Sequence, residues 1–162
     1  MASAIEKAVQ WAVSIANDNS HGYDQTHRDG PNYDCSSLIC WAYYNAGLNT
    51  RPGYTPSTST MYKVFLAAGF KDVTSQINLS NGNGILRGDV LLKPGSHTEM
   101  SIGNGKLVAA SQNENGGITG GQTGDQTGKE IWTHGYYNFP WKYVLRYPDS
   151  VSGVTLVRWI PG

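Results

Sequence analysis

Gly30-Pro31-Asn32-Tyr33-Asp34-Cys35-Ser36-Ser37-Leu38-Ile39-Cys40-Trp41 opens as a turn and then runs on with no breaker before Gly47. Gly-Pro followed by Asn stops whatever precedes it. The apolar run reads as a helix over residues 35–46, closed by Gly47. Cys35 then stands in the first turn of a helix whose far end is buried. Unpaired backbone N–H groups at a helix start favour an anion, so the thiol is expected to ionise near neutral pH. Cys40 lies about 140° away around the axis, among Leu38, Ile39 and Trp41. It reads as core, and the two sulfurs point to different faces, which does not suit a disulfide.

Working outward, residues 3–17 form an amphipathic pattern, with Ser3 as cap, Glu6 at capping-box spacing and Ile5, Val9, Ala12 and Ala16 in one stripe. A polar loop carrying Tyr23 leads to Asp34. Beyond Gly47, Ser57-Thr58 is expected to cap a third helix with Met61, Val64, Phe65 and Ala68 inward, ended by Gly69. Residues 71–88 are polar and rich in Asn and Gly. Short strands are expected at Asp89–Leu92, His97–Ile102, Lys106–Gln112 and Tyr143–Tyr147, with Gly103-Asn104-Gly105 as a hairpin turn and 116–128 as a loop. Helices first and antiparallel strands afterwards make an α+β domain, with N-terminal helices packed on an antiparallel β-sheet. Residues 1–148 read as one catalytic domain. Residues 149–162 read as a linker or the start of a C-terminal wall-binding module, with a possible strand at Val154–Trp159.

The chain has 162 residues, with 12 basic and 12 acidic side chains balancing to zero. No bulk charge draws it to nucleic acid or an anionic membrane. Only 15% of residues are charged, while Gly (20), Tyr (10) and Trp (5) are plentiful, a surface suited to a neutral polymer rich in amides and hydroxyls. There is no His/Cys metal signature, so no metal or cofactor is expected. The N-terminus lacks a secretory signal and no apolar run approaches a membrane span. The expectation is a monomer made in a bacterial host cytoplasm that does not insert in membranes.

A thiolate needs a base. Of the four histidines, His97 opens a strand after Lys93-Pro94-Gly95-Ser96, a fixed position from which an imidazole can face a helix start. A three-residue hairpin loop would pair Ile102 with Lys106 and set His97 opposite Ser111. Ala109, Ser111 and Asn113 would then share the face of His97, and the Asn113 amide oxygen could hold its ring. A two-residue turn would slip the register and bring Gln112 and Glu114 to that face instead.

Tyr33-Asp34-Cys35-Ser36-Ser37, then Gly88-Asp89-Val90-Leu91, then His97 opening a strand that turns at Gly103-Asn104-Gly105, resembles the papain-like cell-wall hydrolases of the CHAP and NlpC type. Within them the chain is most similar to the phage endolysin catalytic domains of the bacteriophage peptidoglycan amidase family. Their late signature resembles residues 120–131, Tyr136-Tyr137 and Pro140-Trp141, and the likeness runs from about residue 3 to 148. The resemblance implies a papain-like cysteine hydrolase fold, Cys35 as nucleophile, His97 as base and a polar third residue. It also implies a tyrosine near the thiolate, matching Tyr23. Many NlpC-type members carry a histidine as third residue where this chain has Ala109, which leaves Asn113 for that role, as Asn serves in many CHAP domains.

The function implied is hydrolysis of amide bonds in bacterial peptidoglycan, foremost as an N-acetylmuramoyl-L-alanine amidase acting at the wall after release from the host. The site would be Cys35, His97 and Asn113, with Tyr23, Asp34 and Ser36 serving oxyanion or substrate. A stem-peptide endopeptidase uses the same chemistry. A non-catalytic wall-binding module and a thiol peptidase acting on ordinary proteins are the other readings.

Overall fold

The computed structural model describes residues 3–148; the expected linker or module start at 149–162, with its possible strand, lies outside them. Helix α1 (Ala4–Ala16) begins where Ser3 Oγ accepts the Glu6 N–H at 3.0 Å, and it buries Ile5, Ala8, Val9, Ala12, Ile15 and Ala16. Glu6 does not close a capping box. Its carboxylate turns outward to Arg87, 2.8 Å from Nη2.

Helix α2 (Cys35–Asn45) is capped from both sides. Asp34 Oδ1 accepts the Ser37 N–H at 2.7 Å, and Ser37 Oγ accepts the Asp34 N–H at 2.9 Å. Ala46 is the C-cap, and Gly47 follows with φ +99°, as its place after the apolar run predicts. Every residue from Cys35 to Cys40 is buried, because α2 packs against α1 on one side and the sheet on the other. Helix α3 (Met61–Ala67) starts later than expected. The Ser57 carbonyl takes the N–H groups of Thr60 and Met61, so Ser57-Thr58 begins a turn ahead of the helix rather than capping it.

Six strands follow: β1 (Lys71–Asp72), β2 (Val90–Lys93), β3 (His97–Gly103), β4 (Lys106–Ala110), β5 (Ile131–Gly135) and β6 (Tyr143–Arg146). All pairs are antiparallel, in the order β1-β6-β2-β3-β4-β5. Alternation sends Val90, Leu92, Met100, Val108, Ala110 and Leu145 toward the helices, where they meet Leu38, Ile39 and Tyr43. Leu91, Leu107 and Val144 face the other way, onto Val73 and Trp141. Full burial of each large apolar side chain contributes about 1.5–3 kcal/mol.

The Gly88-Asp89 pair has a structural reason. Gly88 has φ +93°, and a Cβ there would lie 2.5 Å from Ile5 Cγ2. Tyr43 OH donates to its carbonyl. Asp89 is buried and bonded through both oxygens by Arg146, at 2.8 and 2.7 Å.

The β3–β4 hairpin differs from the expected three-residue loop. Gly103 pairs with Lys106, leaving a two-residue turn at Asn104-Gly105, both at positive φ. A bulge at Ile102 absorbs the odd residue, so Ser101 still faces Leu107 and Met100 faces Val108. The short turn therefore does not slip the register, and Ala109 stays on the His97 face. Strand β4 ends at Ala110, before the expected Gln112, and β5 is a strand the composition did not announce.

Candidate active site

Cys35 opens α2 and is 7% exposed. The N-terminal end of α2 packs on β3, where the backbone N–H groups of Thr98 and Ser36 face the sulfur and favour its anion. The first residue of β3, His97, therefore stands next to the residue that touches the thiol. Contrary to the expected depression, burial pushes the Cys35 thiol up to about 12, with the Asp34 charge pushing the same way. The two N–H groups and Arg28 only partly offset this. A helix start favours an anion, but withdrawal from water costs this thiolate more.

The structure does not bring Asn113 to His97. Beyond Ala110 the chain leaves the sheet and folds on itself. Asn113 Oδ1 accepts the N–H groups of Asn115 and Gly117, at 2.9 and 3.0 Å, and Nδ2 donates to the Thr119 carbonyl. Its whole amide is spent on holding the 113–119 turn. Gln112 is exposed, and Glu114 is bonded to the Gln122 N–H.

The partner of His97 is Glu99, two residues along the same strand and on the same face. His97 Nε2 lies 2.8 Å from Glu99 Oε2. The imidazole also stacks on Trp141 (centroids 5.9 Å, 24°) and lies against Phe139 at 5.1 Å, which fixes the ring plane. Glu99 is 1% exposed, with Tyr137 OH donating to Oε2 at 2.8 Å and His134 Nε2 at 2.7 Å from Oε1. Burial would raise this carboxyl, but hydrogen bonds from His134 and His97, with their charges, outweigh it and hold Glu99 below the usual range. The bond to Glu99 raises His134 in turn, against the pull of burial.

Sheet register explains the cluster. His134 on β5 pairs with Leu107 on β4, which pairs with Ser101; Ala109 pairs with Trp132. Glu99 and His134 thus sit on one face, two strands apart and diagonal across β4, where the short Ala109 leaves room for them to meet.

Tyr23 is 2% exposed, and burial and then the Cys35 thiolate raise its phenol. Its OH accepts a hydrogen bond from Gln25 Nε2. Asp34 and Ser36 are differently employed. Besides capping α2, Asp34 is bonded by Arg28 Nε at 2.6 Å, and Ser36 Oγ accepts from Arg28 Nη2 while donating to Asp34 Oδ1. Arg28 also reaches the carbonyls of Thr55 and Pro56. These groups lock the helix start to two loops. Among the described residues, no group of three or more His, Cys, Asp or Glu is placed to hold a metal ion.

Glu99, His134, Tyr137 and Arg28 escape a reading for pairwise motifs. The signal for the first two is the alternation His97-x-Glu99 and Trp132-x-His134, each placing two polar or aromatic side chains on one strand face.

The endolysin-like domain family matches this sequence over residues 29–108 and 107–160. The chain belongs to that family. No curated protein sequence matches it. Among solved structures the endolysin-like domain resembles NlpC1 from Trichomonas vaginalis, with TM-score 0.50 and 20% identity over 86% of this chain and 43% of that one. It also resembles a variant of RipA, the resuscitation promoting factor interacting protein, with TM-score 0.52 and 16% identity over 88% and 63% of the two chains. A hypothetical invasion protein of Mycobacterium tuberculosis gives TM-score 0.51 and 16% identity over the same shares. The endolysin-like domain thus spans less than half of the NlpC1 chain and under two thirds of the others. The shared fold is the papain-like α+β arrangement of NlpC domains.

Proposed function

We propose that this endolysin-like domain hydrolyses an amide bond of bacterial peptidoglycan by acyl transfer through Cys35. The observation that carries the reading is the contact of the Cys35 sulfur with the residue after His97, whose Nε2 is in turn tied to buried Glu99. With Nε2 committed, Nδ1 is the nitrogen left to take the thiol proton. Family membership supports the wall as substrate.

The thiol is neutral at rest. As sulfur attacks the carbonyl carbon, its proton passes to His97, and Glu99 stabilises the imidazolium that forms. The oxyanion is held at the open end of α2 by the Cys35 N–H, with Tyr23 OH beside it. The amine leaves with the proton from His97, and water, deprotonated by the same ring, cleaves the thioester. Tyr137, which is exposed, supplies an aromatic face beside Glu99 for glycan or peptide.

The bond we assign is the one between muramic acid and L-alanine, on the likeness of residues 120–131 to phage amidases, and the site of action is the wall after release from a host cytoplasm. Mass spectrometry of digested walls decides it: free muramoyl carboxyl and L-alanine amino termini are expected, and termini within the stem peptide would make the domain an endopeptidase. Cys35→Ala is expected to abolish wall solubilisation. Retained lysis by that variant would end the catalytic reading.

A further inference from the structure

Glu99 carries more partners than an orienting group needs, and the extra ones come from another strand. His134 Nδ1 lies 2.8 Å from the Gly135 carbonyl, and Nε2 lies 2.7 Å from Glu99 Oε1. A carbonyl can only accept, and so can an ionised carboxylate. Nδ1 then carries the proton, while Nε2 meets Oε1 as an ion-pair contact that lacks the alignment of a hydrogen bond, and Oε1 has no other hydrogen-bond partner. His97 meets the other oxygen, Oε2, through its own Nε2 at 2.8 Å. One buried carboxylate is shared between the proposed base and a second, non-reacting histidine.

We propose that His134 is a positioning residue for the hydrolysis: its imidazolium clamps Glu99 against His97 and, through that carboxylate, opposes premature protonation of His97 by solvent. This rests on the Cys35–His97–Glu99 reading above. Two positive charges flanking one carboxylate disfavour each other, so the charge on His134 keeps His97 available as a base at lower pH. The raised affinity of His134 for its proton agrees with its being the one charged first. His134 retains a route to solvent, its side chain being 16% exposed. The other ionisable groups facing the cluster are Tyr137, which bonds Glu99; Lys93 on β2, over Phe139 beside His97; and Lys129, over Trp132. Neither lysine lies between the two imidazoles and Glu99.

The test is the pH profile of kcat/KM for solubilisation of purified peptidoglycan, with His134→Gln and Glu99→Gln beside the wild type. Gln at 134 can still donate to Glu99 but carries no charge. The acid limb is expected to move up by about one pH unit in His134→Gln, with KM little changed. In Glu99→Gln it is expected to move down, with kcat falling steeply. An unmoved acid limb in His134→Gln would overturn the proposal, since a purely structural role lowers activity without shifting the limb. A second readout does not depend on turnover or on that variant folding: nitrogen NMR of His134 in the Cys35→Ala protein. Double protonation at neutral pH is expected, and a neutral ring there would overturn the proposal. Lysis by Cys35→Ala itself would instead bring down the underlying reading, so the two failures are distinguishable.

Discussion

At the scale of single residues, the site is decided by what each polar atom is already bonded to. Asn113 was a reasonable candidate from the alternation of strand faces, and the face assignment itself was right as far as Ala109. It fails because the strand ends at Ala110 and the Asn113 amide is consumed by its own turn. Glu99 is the carboxylate bonded to His97, and on the proposed function Glu99→Ala is expected to cut kcat by about 10²-fold or more, measured on purified walls, with the fold retained by circular dichroism. Cys35 was legible as the residue that opens α2, but the state of its thiol was not, because sequence shows the helix start and not the depth of burial. With the thiol pushed up to about 12, the neutral form persists through the physiological range. Alkylation by iodoacetamide should be slow at neutral pH, with a rate that climbs about tenfold per pH unit well into the alkaline range. A rate that levels off near neutrality would contradict the burial argument.

At the scale of elements, α2 and the β3–β4 pair were readable because their signals are local: a cap, an apolar run, a Gly stop, an Asn-Gly turn. Strand β5 was not, because Ile131-Trp132-Thr133-His134-Gly135 follows a long glycine-rich loop and only its pairing with β4 makes it a strand. That omission hid His134. The start of α2 depends on Asp34, and Asp34→Ala is expected to destabilise the domain by about 1–2 kcal/mol from the cap alone, with a further loss because Arg28 loses its carboxylate partner. Urea unfolding measures it. Ala109→Leu would place bulk in the space where Glu99 meets His134. It is expected to cost about 1–3 kcal/mol and to lower activity beyond what that loss explains, seen as reduced kcat at a temperature where the variant is fully folded.

At the scale of the whole molecule, the order of helices before strands gave the class, but the sheet order could not be read from it, since β6 enters beside β2 through pairings remote in sequence. The buried cluster also gives the domain a pH signature. Glu99 is lowered on folding, so its contribution is complete above the ordinary carboxylate range and is lost as pH falls through its folded value. His134 is raised, so its contribution is complete below the ordinary histidine value and fades as pH rises through its folded value. The two overlap between roughly pH 4.3 and 6.5. The melting-temperature gap between wild type and His134→Gln is expected to be widest there and to narrow above it.

The bulge at Ile102 separates the two ends of the β3–β4 hairpin. Toward the site, Ser101 and Met100 keep the pairing that aligns Glu99 with Ala109; toward solvent, Asn104 and Gly105 are exposed. Removing Ile102 would turn the last rungs into an ordinary ladder without moving the inner ones. The tip at Asn104 is exposed and can carry a short peptide tag or a fluorophore, while Gly105 and Lys106 beside it hold Tyr136 and Gly135 at the end of β5 and are to be left unchanged.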